Sequence, residues 1–431
     1  MMTANKIKAN PTKDFFITML TRDIEIHRSV LDLIDNSVDA ATLNDLLKNT
    51  PKVEITVTPD YFQIYDNCGG IPLKVAENYA FRFGRPIESD PTPNSVGQFG
   101  VGMKRTLFKL GNNFTVRSKH INNSGFEVKV DVTEWKNENS NDWEFNYQLI
   151  QDIEDGETLI KVENLYPSIH KTFGQDNFIN LLKEDIAQSH FLSIQKGLEI
   201  SLNGEKIKPY VINFYVGDDI KPEVYEDVID GVQVKIITGL SERNIDSAGW
   251  YIICNGRLVV TADQTSMTGW GVDGIRKYHA EMAFFRGVVE LNAEDSSKLP
   301  WTTTKTGIDS NSLIYQHVLV YMKNYMRKVI SILNDRTKEA ELFKEGRIEE
   351  ATLNNALKAS KLVKMTEIKS VQKLQVKTAN LSTYVPETTT IRYSVPTEKY
   401  DQVANALNVS QKSDVGLKTF NYFFRYEVDS E

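Results

Sequence analysis

The run SVGQFGVGMKRT, residues 95–106, places Gly97, Gly100 and Gly102 just ahead of a Met-Lys-Arg. Glycines let backbone N–H groups close on an anion, and a helix that follows adds its positive end. Two phosphate-binding patterns fail on spacing. A Walker loop needs a hydroxyl residue directly after its lysine, to hold magnesium; here Lys104 is followed by Arg105. A dinucleotide fingerprint reads G-x-G-x-x-G directly after a strand; here the order is G-x-x-G-x-G, after the polar, proline-broken ESDPTPN. Three further clusters carry chemistry. In LDLIDNSVDAA, 31–41, Asp32 and Asn36 stand four apart and share one face of a helix. A carboxylate so placed can orient water for attack on a phosphate, and an amide oxygen can ligate magnesium, which takes oxygen donors and few protein ligands. In YDNCGGI, 65–71, an Asp at a strand end can accept a hydrogen bond from a base amine while the glycines let backbone pack on the ring. In DGETLI, 155–160, Thr158 can back that Asp through a water. Taken singly, each also has a plain structural reading: a flexible loop, solvated helix residues, a turn Asp, a strand threonine. It is their joint order that points to a nucleotide.

The elements that must position these groups follow from apolar spacing. Ile24, Val30, Leu31, Ile34, Val38 and Leu46 recur at helical intervals between Asp23 and about Leu47, and Pro51 stops the pattern. VEITVT (53–58) and FQIYD (62–66) are predicted strands joined at Pro59-Asp60. A long polar stretch with Gly84, Pro86, Pro91 and Pro93 suits a lid over a site. The glycine loop leads into the helix VGMKRTLFKLG, and NFTVRSKH, FEVKVDV, WEFNYQLIQ and ETLIKVENL are four further strands. Helix, hairpin, lid, helix, then meander predicts an α+β layer structure with a mixed sheet and helices on one face. Residues 173–196 are a predicted helical bridge to a second region, which opens with an Asn-Gly hairpin at 203–204. There VQVKIITGL, GWYIICNGRLVV and FFRGVVELNA are predicted strands, and Ile314, Val318, Tyr321, Met322, Tyr325 and Val329 line one helix.

The whole chain has 431 residues, 25% charged and 41% hydrophobic, as expected of a globular protein of two or three domains. A net charge of −8 argues against a protein coated in nucleic acid but leaves room for a local basic patch. Cys68 and Cys254 make no disulfide framework and no metal spacing. Neither an apolar signal core nor a run of about 18 apolar residues is present, so a cytoplasmic protein without membrane contact is expected. His27 is expected to be a partly buried packing residue, and Cys68 a small strand-end residue rather than a redox thiol.

The four ordered clusters resemble those of the GHKL ATPase superfamily, which includes gyrase-type ATPase subunits, ninety-kilodalton heat-shock chaperones, MutL, MORC proteins and histidine kinases. The LIDN-x-x-DA helix is most similar to MORC-like and bacterial stand-alone members. The resemblance implies a two-layer Bergerat-fold ATPase domain over 1–170 and an α/β transducer domain over 171–335. Beyond them are expected a charged helical segment with a linker over 336–387 and a small C-terminal unit over 388–431. It implies ATP and magnesium as ligands. Asp32 is the implied general base, Asn36 the magnesium ligand, Asp66 the adenine reader with Gly70 against the base. Gly97, Gly100, Val101 and Gly102 form the implied phosphate loop, Lys104 reaches a phosphate, and Ala40 and Thr158 complete the nucleotide site. KLPWTTTKTGID, 298–309, is similar to the transducer loop that meets the γ-phosphate; Lys305 is the first choice for that contact and Lys298 its rival. Two departures stand out: Asp32 occupies a place where most relatives carry Glu, and Cys68 replaces the first glycine of D-x-G-x-G, with Gly69 left to supply the freedom.

The implied activity is slow ATP hydrolysis gating a homodimer, with the segment KIKANPTKDFFITML as a strap to the partner. A setting in DNA handling or bacterial antiviral defence follows by analogy alone. The alternatives are a non-hydrolysing ATP sensor or scaffold for a partner protein, and a chaperone-like ATPase. A histidine kinase is disfavoured, because only 31 residues precede Asp32. The C-terminal unit is predicted as a strand carrying Ile391, Tyr393 and Val395 on one face, a helix after Pro396, a turn at Asn408 and a second helix. That order resembles a ribbon-helix-helix DNA module, and Lys358, Lys361, Lys364, Lys369, Lys373 and Lys377 upstream form a candidate phosphate-contacting patch. The competing reading is a small α/β cap beside a solvated helix.

Overall fold

The structure, a computed structural model, describes residues 12–44, 50–82, 95–96, 102–137, 143–345, 347–348, 350–368, 371–378 and 389–428. The chain divides into two compact units, Met1–Ala379 and Asn380–Glu431.

In the first unit, α1 (Lys13–Arg22) and α2 (Ile26–Leu43) are separate helices, so the single helix expected from Asp23 onward begins three residues later and has a neighbour before it. Thr12 caps α1, its side chain accepting from the Phe15 N–H. The part of the expected strap that is described is thus helical, and residues 1–11 lie outside the described residues. Strands β1 (Lys52–Val57) and β2 (Tyr61–Asp66) follow, then a short helical turn α3 (Leu73–Val75) that continues as a π-helical turn, Ala76–Ala80. Most of the expected lid, 83–94, is outside the described residues. Then come α4 (Gly102–Leu110), β3 (Gly111–Ser118), β4 (Gly125–Asp131), α5 (Val132–Asn137), β5 (Tyr147–Ile150) and β6 (Thr158–Leu165). Helices α6 (Pro167–Phe173), α7 (Asp176–Ser189) and α8 (Phe191–Gln195) lead to strands β7 (Glu199–Leu202) and β8 (Glu205–Lys206).

These strands form one mixed sheet in the order β5-β4-β3-β6-β2-β1-β7-β8. Alternation sets which face is buried. Val53, Ile55 and Val57 of β1, with Phe62 and Ile64 of β2, turn inward onto the helices, and their intervening residues turn away. The same alternation carries Asp66, the last residue of β2, to the helix-covered face.

Two expected boundaries move. β7 pairs parallel with β1, and the first core runs on through Phe178, Leu182, Ile200 and Ile207, so 171–207 completes the first sheet rather than opening the second region. The Asn-Gly hairpin is present, with Asn203 and Gly204 at φ +49° and +79°, but it closes the edge of this first sheet. The second region is a five-stranded sheet of β11 (Glu223–Ile229), β12 (Val232–Leu240), β13 (Gly249–Cys254), β14 (Arg257–Asp263) and β15 (Phe285–Asn292), in the order β11-β12-β15-β13-β14. Both faces of this sheet are covered, which is why GWYIIC has no polar alternation. The long helix α9 (Leu313–Lys344) packs on one face through Val318, Met322, Met326 and Val329. It runs through the boundary expected at 335. Beyond it, α10 (Thr352–Ala359) adds Leu353 to the same core. Strand β16 (Lys361–Lys364) pairs with β9 (Asn213–Val216), and β17 (Gln375–Val376) with β10 (Ile220–Lys221). The stretch expected as charged helix and linker is therefore, up to 378, mostly packed structure.

In the second unit, Thr397–Leu407 and Lys412–Phe423 are helices, with Asn408 left-handed between them at φ 51°. Residues 389–396 form no strand and pair with no other strand among the described residues, so the predicted strand is not formed within this chain.

Candidate functional site

A cavity of about 310 Å³ lies between α2, β2, β6, the turn after β2, the start of α4 and the 301–308 loop. That volume is at the lower end of small-molecule sites. Its walls include Asp32, Asn36, Ala40, Asp66, Gly70, Gly102, Lys104, Thr158 and Lys305. The sequence-predicted residues that the structure describes thus meet at one place. Gly97, Gly100 and Val101 lie outside the described residues.

Helical spacing explains the α2 wall. Asp32, Asn36 and Ala40 recur every fourth residue, and all three line the cavity, with Asn36 exposed into it. Among the described residues no cluster of three or more His, Cys, Asp or Glu side chains is arranged to hold a metal. A divalent cation here would draw on the Asn36 amide and on ligand oxygens, which suits magnesium.

One end of the cavity is a hydrogen-bonded acid. Asp66 is 8% exposed and accepts from the Ser37 hydroxyl at 2.8 Å and from the Cys68 N–H at 3.0 Å. Burial pushes its carboxyl up to about 6, against these two donors that pull it down. Thr158 sits opposite Asp66 in the β2–β6 register, and its hydroxyl meets Ser118 at 2.9 Å. Gly70, at φ +68°, approaches the Lys119 carbonyl so closely that a Cβ would overlap it. Gly69, at φ +122°, supplies the freedom that Cys68 cannot. Cys68 is fully buried, with burial pushing its thiol up, as befits a packing residue. Ser37 was missed by the sequence reading, although it stands one residue after Asn36 on a turn facing β2.

The other end is dense in charge. The Arg105 guanidinium meets Asp32 Oδ2 at 2.5 Å. Lys305 Nζ lies 3.5 Å from Asp32 Oδ1 and 2.6 Å from Asp35 Oδ2. Asp35 is wholly buried and is also paired with Arg257, while His190 Nε2 stands 3.6 Å away. Burial drives Asp35 up, but Arg257 and Lys305 outweigh it and hold the carboxyl down at about 2. Burial pulls His190 down to about 3, so it is neutral and contributes no charge. Two carboxylates therefore face three cations, a surplus of one positive charge at a buried point. Lys104 adds to it: its Nζ donates to the Ala80 carbonyl at 2.9 Å, and burial pulls its ammonium down to about 7. Lys104 and Arg105 both sit in the first turn of α4, where the helix dipole disfavours cations. An anion at this end would relieve both strains.

Lys305 reaches the cavity through an uncommon backbone. It is left-handed at φ +53°, in a loop closed by Thr302 N–H to Gly307 and by a bridge between Trp301 and Ile308. Trp301 and Ile308 are anchored in the second core. Lys298, the rival, is exposed and donates to the Asp230 carbonyl at 3.2 Å, away from the cavity. Gly102 has a packing reason beyond any ligand: a Cβ there would lie 3.0 Å from Asp32 Cβ, so only glycine lets α4 start this close to α2. Ser95 and Val96, at the far end of the expected lid, are tied down. Val96 N–H donates to Asp39 at 2.7 Å, Asn255 donates to the Ser95 carbonyl at 3.3 Å, and Val96 is buried in the core of the second sheet. Outside the cavity, His27 is half-buried between Glu25 and Asp185, as expected of a packing residue.

The fold and these groups define an α+β domain with a cavity on its helix-covered face. Residues 24–164 match the family described as histidine kinase-, DNA gyrase B-, and HSP90-like ATPase. No curated protein matches the chain. The match supports the GHKL superfamily for this segment and, with it, ATP binding. No helix among the described residues is long and apolar enough to cross a membrane.

Proposed function

We propose that the chain binds Mg-ATP in this cavity, hydrolyses it slowly, and uses the γ-phosphate to gate a homodimer. The observation that carries the reading is the polarity of the cavity. A buried acid with backbone glycines at one end suits a base amine. A buried excess of positive charge at the other suits a polyphosphate. In this reading Asp66 accepts from adenine, Asn36 holds magnesium, Lys104 and Lys305 meet phosphates, and Asp32 orients water. Gating follows from where Lys305 comes from: its loop belongs to the second core, so a phosphate contact draws that region toward α2. A setting in DNA handling or antiviral defence rests on analogy of fold.

A second reading, a sensor that binds ATP without turnover, is favoured by one observation. Arg105 occupies Asp32 Oδ2, leaving one oxygen for a water, and Asp is a methylene shorter than Glu. The experiment is turnover of full-length protein beside its Lys305→Ala and Asp32→Ala variants. Slow hydrolysis that falls about a hundredfold in Lys305→Ala, with ADP affinity nearly unchanged, supports the ATPase. Binding with equal, background turnover in all three supports the sensor. A magnesium-dependent rise in melting temperature with ATP checks the binding that both readings need. A shift toward dimer in light scattering with a non-hydrolysable analogue checks the gating.

A further inference from the structure

Asp35 lines no wall of the cavity, yet it is wholly buried among three basic side chains. Its partners Arg257, Lys305 and His190 all come from beyond residue 189. Arg257 opens β14 of the second sheet and is only 2% exposed. Arg257 Nη1 and Lys305 Nζ each donate to one oxygen of Asp35, and His190 Nε2 stands 3.6 Å away, so Asp35 is the group on which this buried set converges. A buried ion pair earns its desolvation cost poorly as a source of stability, and its usual benefit is to fix one arrangement.

We infer that Asp35 is a positioning residue: it fixes the Lys305 ammonium at the cavity wall and registers the second sheet, through Arg257, against the helix that carries Asp32 and Asn36. The inference rests on the nucleotide reading above and extends it. The geometry gives the reason. Lys305 stands on a left-handed loop residue, a conformation that a side chain must be held in. Its Nζ is 2.6 Å from Asp35 but 3.5 Å from Asp32, so Asp35 sets where the ammonium rests. Arg257 pulls the same carboxylate from the other side, so Asp35 cannot follow Lys305 outward. A triphosphate then meets an ammonium already in place, while a diphosphate, which ends short of it, gains nothing from the arrangement.

The test compares Mg-ADP with a Mg-bound β,γ-imido ATP analogue, each titrated into full-length wild type, Asp35→Asn and Arg257→Met. Asp35→Asn leaves three cations facing one carboxylate and strains the fold. Arg257→Met is the milder change, because two carboxylates then face two cations. Wild type is expected to prefer the triphosphate. Each variant is expected to bind ADP within about twofold of wild type and to lose about tenfold of the triphosphate preference, the worth of one charged contact. A purely structural role would lower both affinities in parallel and leave their ratio unchanged. A folded variant that keeps the wild-type ratio overturns the inference while the nucleotide reading stands. A wild type that binds neither nucleotide overturns the reading and the inference with it.

Discussion

The two ends of the cavity are built by different means. At the Asp66 end a single acid is held by near neighbours in the fold: Ser37 on α2, the Cys68 backbone two residues on, and Thr158 on the adjacent strand. It carries no ion pair with a described residue, and burial outweighs its two hydrogen-bond donors. At the Asp32 end five charged side chains compensate one another, and three of them belong to segments far apart in the chain. In the proposed function the first end selects by shape and one hydrogen bond, and the second holds charge ready for charge. A group of near neighbours is assembled within one sheet, whereas the cluster of distant charges ties that sheet to the second one.

The largest expected effect is at the Asp66 end. Asp66→Asn is expected to weaken ATP binding by about a hundredfold, because the charged acceptor for the base amine is lost. The wild type should show the same dependence in pH. A base amine is bound by the ionised carboxylate, whose midpoint is about 6. Near pH 5 about one tenth of Asp66 is ionised, so affinity should be about tenfold lower than at pH 7, and in Asp66→Asn that dependence should vanish. Stability runs the other way. The folded-state value is raised above the ordinary 3.8, so the folded chain holds the proton more tightly than the unfolded one. That contribution is complete below about pH 4 and is lost as pH rises through about 6, leaving a cost of roughly 3 kcal/mol for the buried charge. Asp66→Asn should therefore melt higher than wild type at pH 8 while binding ATP less well. Calorimetry with and without nucleotide measures both. A variant that loses stability and affinity together would make Asp66 a structural residue and erase the contrast between the ends.

An intermediate effect belongs to the glycine that lets backbone approach the ring. Gly70→Ala places a Cβ against the Lys119 carbonyl and asks for φ +68° from a residue that disfavours it. A loss of about 2–3 kcal/mol in denaturant unfolding is expected, with weaker ATP binding in the fraction that remains folded. Unchanged stability would show that the 68–71 turn rearranges freely and does not shape the pocket.

What the sequence carried divides along the same line. Period-two alternation in β2 and the four-residue spacing in α2 are local signals, and they put Asp66, Asp32, Asn36 and Ala40 where the fold places them. The order of helix, hairpin, helix and meander was enough for the α+β layer. Asp35 was missed because its neighbours Asp32 and Asn36 were the ones with a familiar spacing. Its partners His190, Arg257 and Lys305 stand 155 to 270 residues away, at separations no local pattern reports. Arg105 was read only as a break in the Walker pattern, since nothing in a linear string shows that α4 starts against Asp32. The expected boundary at 170 does not end the first sheet, because β7 joins β1 in parallel although five strands and several helices lie between them in the chain, a pairing of high sequence separation. The C-terminal strand is not formed for the converse reason: alternation is visible in Ile391, Tyr393 and Val395, but a strand needs a partner, and none pairs with it among the described residues.

The smallest expected effect sharpens the charged end by contrast with its own surroundings. Lys298 and Lys305 lie seven residues apart in one stretch, and by sequence each has a claim on the γ-phosphate. The fold separates them. Lys305 is 5% exposed, ion-paired and at the cavity wall, whereas Lys298 is exposed and caps the Asp230 carbonyl on a turn of the second sheet. An exposed lysine with one carbonyl contact is worth less than about 0.5 kcal/mol on truncation. Lys298→Ala is therefore expected to keep its ATP turnover, ADP affinity and triphosphate preference within about twofold of wild type. The measurement is the same titration and turnover assay applied to Lys305→Ala. If Lys298→Ala lost the triphosphate preference and Lys305→Ala kept it, the loop would have to reorganise on binding. The buried Asp35 pair would then mark a resting state of Lys305 rather than its working position.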